Sequence, residues 1–72
     1  MNADQFVINE DFIAKDQDQI SVSQGDKVEL LDRFATPDQE YVAVAVIDEE
    51  TKKPSTKRGN VPYRILFSLD NV

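Results

Sequence analysis

The sequence predicts an all-β protein, a small five-stranded antiparallel barrel with one short 3-10 turn near Pro62. Three observations carry that expectation. The apolar residues fall in short runs, and the clearest of them alternate with period two. Polar turns bearing Gly or Pro separate these runs, and no segment has convincing helical periodicity. At 72 residues, 40% hydrophobic and 31% charged, the chain holds enough apolar material for one core and too much for a disordered tail.

The elements follow in order. Residues 1–4 are polar and are expected to form a disordered start, followed by one domain over residues 5–70 and a frayed end at 71–72. Phe6-Val7-Ile8 is an apolar run of strand type. Residues 9–19 place charges around Phe12-Ile13-Ala14 without a clean period, so they read as a long loop or irregular hairpin. Ile20-Ser21-Val22 alternates again, and Ser23-Gln24-Gly25-Asp26 is a turn by composition. The run Lys27-Val28-Glu29-Leu30-Leu31-Asp32 is a half-buried strand, with Val28 and Leu30 on one face. Ala35-Thr36-Pro37-Asp38 breaks it. In Tyr41-Val42-Ala43-Val44-Ala45-Val46-Ile47, large Val alternates with small Ala, which suits a strand with a crowded inner face. Residues 48–58 are all polar and read as one long turn. Val61 belongs to a strand that Pro62 must end or interrupt, and Leu66-Phe67-Ser68-Leu69 is a last short strand. The expected core is Phe6, Ile8, Ile20, Val22, Val28, Leu30, Val42, Val44, Val61 and Leu66.

Composition removes several classes of function. Without Cys there is no disulfide framework, thiolate metal site or Cys nucleophile. Without His, zinc fingers and imidazole acid-base chemistry are excluded as well. No nucleophile-base pair or phosphate loop is spelled out, so the chain is expected to be no enzyme and to need no cofactor or metal. No apolar run approaches a membrane span, and no signal-peptide pattern opens the chain; a cytoplasmic, monomeric domain is expected. The net charge is −6 but uneven: residues 1–50 hold thirteen acids against Lys15, Lys27 and Arg33, while residues 51–72 hold five bases against Asp70. Such an acid excess disfavours nucleic acid, which needs a basic stripe, and favours basic partners. It is equally an ordinary source of solubility.

The order of loop, Ile-Ser-Val, Gly-bearing turn, two strands, Val-Pro, single turn and strand resembles the Src homology 3 domain. The family's opening Ala-Leu-Tyr-Asp-Tyr falls on Ile8-Asn9-Glu10-Asp11-Phe12, and its Asp-Glu-Leu-Ser-Phe on Asp18-Gln19-Ile20-Ser21-Val22. Its Lys-Lys-Gly-Asp turn falls on Ser23-Gln24-Gly25-Asp26, and its paired tryptophans on Tyr41-Val42. Its Gly-Tyr-Val-Pro-Ser-Asn-Tyr-Leu falls on Gly59-Asn60-Val61-Pro62-Tyr63-Arg64-Ile65-Leu66, so the likeness spans roughly residues 6–70. Both glycines then occupy positions where a tight backbone is expected.

That resemblance implies a groove for proline-rich segments in polyproline-II form, with flat apolar faces for the rings and an acidic loop for a flanking Arg or Lys. Carried over, the groove is Glu10, Phe12, Tyr41, Asn60, Pro62 and Ile65. Phe12 and Tyr41 keep an aromatic face, whereas Glu10, Asn60 and Ile65 stand where tyrosine is common. Losing two aromatic contacts weakens binding by about 1–3 kcal/mol, and restoring tyrosine at positions 10 and 65 is expected to recover it. The acidic specificity loops are Asp11, Asp16 and Asp18 with Asp38 and Glu40; Gln19 stands where the family often has an acid. Lys52, Lys53, Lys57 and Arg58 make a secondary basic turn, with anionic lipid, a phosphopeptide or an acidic domain as its possible contacts and a solvated loop as the simpler reading.

The expected function is a protein-protein interaction module of a larger signalling or cytoskeletal scaffold, binding proline-rich or basic peptide segments of another protein or of its own chain, weakly or atypically. The alternative is a structural domain whose degenerate groove packs against a neighbouring domain in the same chain.

Overall fold

A computed structural model describes residues 5–32 and 38–68. The expected disordered start, the frayed end, Leu69 and most of the break at 35–38 lie outside the described residues. Five strands form one antiparallel sheet: β1 (Gln5–Ile8), β2 (Lys27–Leu30), β3 (Tyr41–Ile47), β4 (Pro54–Pro62) and β5 (Leu66–Ser68). A 3-10 turn at Tyr63–Ile65 joins β4 to β5, as expected from Pro62. The spatial order is β4-β3-β2-β1-β5, so the chain's two end strands pair with each other. Among the described residues no ladder joins β4 to β5, so the expected barrel is an open sheet. The described residues hold no helix long and apolar enough to cross a membrane.

Register explains the core. Val28 lies opposite Phe6 and Val46, Leu30 opposite Val44, and Val42 opposite Val61, so one face collects the β-branched side chains. Ile8, Val22, Val28, Val42, Val44 and Val61 are buried, and Phe6, Ile20, Leu30 and Leu66 pack against them half-buried. Each such side chain contributes about 1.5–3 kcal/mol when fully buried. β3 is central, and its small residues are covered too: Ala45, between Glu29 of β2 and Arg58 of β4, is fully buried.

Two further expectations are corrected. The long polar turn at 48–58 is shorter, running only to residue 53, and β4 begins at Pro54. Thr56, Lys57 and Arg58 in its first half are all exposed, so polar residues suit this stretch, and a hydroxyl bond replaces apolar burial. Ser55 Oγ donates to the Val46 carbonyl (2.7 Å) across a register shift between Ala45 and Ile47. The second concerns Ile65. It is 1% exposed and belongs to the core cluster rather than to a surface groove.

The first loop is an irregular hairpin, as expected. Phe12 and Val22 exchange two backbone hydrogen bonds of 2.9 Å, and Ser21 Oγ accepts from the Ala14 amide. The tip is organised by Gln19, whose amide oxygen accepts from the Lys15 and Asp16 N–H groups (2.8 and 3.2 Å). Ile20-Ser21-Val22 is thus held by single bridges and not by a ladder.

Candidate functional site

Three segments converge on a cleft of 780 Å³: the first loop, residues 38–41, and the end of β4 with its 3-10 turn. The first loop supplies Asp11, Phe12, Ile13 and Lys15. The second segment supplies Asp38, Gln39, Glu40 and Tyr41; the third supplies Pro62, Tyr63 and Arg64. Each is fixed locally. Phe12 is pinned by its bridge to Val22, and the Tyr63 N–H donates to the Glu40 carbonyl (3.0 Å), tying the 3-10 turn to the second segment. Tyr41 opens β3 directly opposite Pro62.

Phe12 and Tyr41 stand with ring centroids 6.4 Å apart and planes tilted by 52°, a V-shaped aromatic wall beside Pro62. Tyr41 is 39% exposed and Ile13 72% exposed, so apolar surface faces solvent at this mouth. The same lining includes the acids Asp11, Asp38 and Glu40 and the bases Lys15 and Arg64. Asp11 also has a structural task, since its Oδ1 accepts from the Gln24 N–H (2.8 Å) and ties the loop to the turn at 23–26. Arg64 Nη1 lies 3.0 Å from Glu10 Oε2 in an exposed ion pair.

No family model matches this chain, and no curated protein matches it. The site is therefore read from its own geometry. Phe12, Tyr41 and Pro62 are brought together, with Asp11, Asp38 and Glu40 at the rim. The other expected groove residues are elsewhere. Ile65 is the buried residue of the 3-10 turn, and Glu10 pairs with Arg64 without lining the cleft. Asn60 is held by Asp18, through a backbone bond of 2.8 Å and a side-chain bond of 3.3 Å. That contact draws Asp18 towards β4, and neither it nor Asp16 lines the cleft.

The basic turn also divides. Lys52 and Lys53 lie in a tight turn closed by the Asp48 N–H to the Lys53 carbonyl (2.9 Å) and the Lys52 N–H to the Asp48 carbonyl (2.7 Å). Asp48, Glu49 and Glu50 share that turn, so it is not a basic patch. Lys57 and Arg58 stand on β4 instead, and the Arg58 Nε–H donates to the Ser55 carbonyl (3.0 Å).

Sequence reasoning missed Ile13, Lys15, Gln39, Tyr63 and Arg64 as cleft residues. Ile13 and Lys15 lie within three residues of Phe12, Gln39 lies between Asp38 and Glu40, and Tyr63 and Arg64 follow Pro62, so proximity to identified residues was the available signal. Among the described residues, no group of three or more acids could hold a metal ion.

Proposed function

We propose that this chain is a non-catalytic interaction module that receives a proline-rich or basic peptide segment in the cleft, acting as a divergent Src homology 3 domain within a signalling or cytoskeletal scaffold. The observation that carries the reading is the meeting of Phe12, Tyr41 and Pro62 under an acidic rim. A polyproline-II segment offers flat apolar rings and pays little ordering entropy, which suits a shallow aromatic wall. A flanking Arg or Lys finds Asp38 and Glu40 at the rim, each exposed pair contributing about 0.2–1 kcal/mol. Glu10 and Ile65 add no aromatic face, so the affinity is expected to be low.

An amide-shift titration with a proline-rich, arginine-bearing peptide tests this. Shifts should centre on Phe12, Ile13, Tyr41 and Tyr63, and Tyr41→Ala should weaken binding about three- to tenfold. Absence of any shift at millimolar peptide would leave the structural alternative, a domain that packs against a neighbour. Phe67 on β5, 59% exposed beside Val7, is the observation that favours that second reading.

A further inference from the structure

Arg64 is one of two cations that line the cleft, and its engagement is incomplete. Only one of its guanidinium nitrogens meets Glu10, at 3.0 Å, although a guanidinium presents five donors in a planar fork. Both side chains are largely exposed, at 69% and 56%. An exposed single-contact pair of this kind is held weakly and exchanges readily. Arg64 also lines the cleft, whereas Glu10 does not. Arg64 is therefore shared between an internal ion pair and the lining of the space that a ligand would enter.

We infer that Arg64 reads an acidic side chain on the bound peptide, leaving Glu10 to do so, so that the preferred ligand is a proline-rich segment carrying an Asp or Glu as well as a basic residue. This rests on the cleft reading above and adds to it the charge pattern of the ligand. The physical basis is a difference in pairing. With Glu10, Arg64 makes one contact in water; with a carboxylate lodged against the apolar cleft wall it can make two parallel ones in a drier setting. Glu10 acts as a placeholder. It holds the cation at the cleft edge when no ligand is present, and it competes with any acid that arrives. Lys15, on the facing loop, adds a second positive charge to the same mouth. The acids Asp38 and Glu40 would repel a ligand that is acidic throughout, which restricts the preference to mixed-charge segments.

The test uses proline-rich peptides with an arginine at one end and Asp, Asn or Lys at the other, made in both orders. Each is titrated into the 72-residue chain and into its Arg64→Gln and Glu10→Gln variants, with melting curves confirming that all three remain folded. In one order the Asp peptide should bind the parent about three- to tenfold more tightly than the Asn peptide. Arg64→Gln should abolish that preference, and Glu10→Gln should enlarge it. If the Asp and Asn peptides bind the parent alike in both orders, or if the preference survives Arg64→Gln, the inference is overturned while the cleft reading stands. If no peptide binds in either order, both fall together.

Discussion

The two glycines are held by different forces, and substitution separates them. Gly25 has a φ of +97° with open space where a Cβ would sit, so Gly25→Ala is penalised by backbone strain, about 1–2 kcal/mol. Gly59 has no such φ, but a Cβ there would lie 2.7 Å from Ile20 Cγ2 and 3.1 Å from the Asp18 carbonyl oxygen. Gly59→Ala should therefore cost about 1–3 kcal/mol by overpacking, and less in an Ile20→Ala background. Urea melts of Gly59→Ala, Ile20→Ala and the double variant check this; an unchanged cost in the Ile20→Ala background would move the clash from Ile20 to the Asp18 carbonyl oxygen. Ile65 gives a second prediction. Because it is buried, Ile65→Ala should cost about 2–5 kcal/mol, a large part of the stability of so small a domain. Ile65→Tyr should destabilise as well, by about 1–3 kcal/mol, and should not improve peptide binding. Circular-dichroism melts and one peptide titration decide between the core position and the groove position.

At the level of the element, β4 is a strand built without an apolar pattern in its first half. Its register shift is stitched by Ser55, whose Oγ donates to the Val46 carbonyl and accepts from the Lys57 N–H (3.2 Å). Ser55→Ala removes both bonds and leaves a part-buried carbonyl short of a partner, so a loss of about 1–2 kcal/mol is expected. Hydrogen exchange should quicken at Lys57 in that variant, and stability should fall with an unchanged denaturant slope. The preceding turn carries the opposite kind of flaw. Lys52 has a φ of 63°, a left-handed conformation that a β-carbon disfavours. Lys52→Gly should stabilise by about 0.5–1 kcal/mol and raise Tm by a few degrees. A lower Tm would show that the lysine side chain compensates for the strain.

On the scale of the molecule, the sheet brings its first and last strands together, since β1 pairs with both β2 and β5. The cleft exists only because that pairing sets the first loop beside residues 38–41 and the 3-10 turn. Its charge is part of a chain of net −6, so association with a basic peptide is assisted at long range as well as at the rim. Raising salt from low to several hundred millimolar should weaken binding of an arginine-bearing peptide without an acid by about two- to fivefold, largely through slower association. Affinity that stays flat would make Asp38 and Glu40 bystanders.

Much of this was legible in the residues themselves. The period-two runs of β2 and β3, the turn at Gly25, and the stop imposed by Pro62 follow from local stereochemistry, which acts over a few neighbours and is written in adjacent letters. Phe12, Tyr41 and Pro62 were named only through the resemblance to the Src homology 3 domain, whose motif positions they occupy. The start of β4 was not legible, because Pro54 to Arg58 pair through backbone and a serine hydroxyl and bury little apolar surface. Nor was the split of the acids: Asp16 and Asp18 look like Asp11 along the chain, and only the contact between Asp18 and Asn60, 42 residues away, turns that part of the loop to β4. Ile65 and Arg64 are adjacent, yet one is buried and the other lines the cleft beside Glu10, 54 residues distant. The sequence by itself determined the strand class, since that depends on local pattern, whereas the aromatic wall needs Phe12 and Tyr41, 29 residues apart, to meet. The open sheet, the membership of the cleft and the pairing of its charges were decided by tertiary structure, because each depends on which distant segments come into contact.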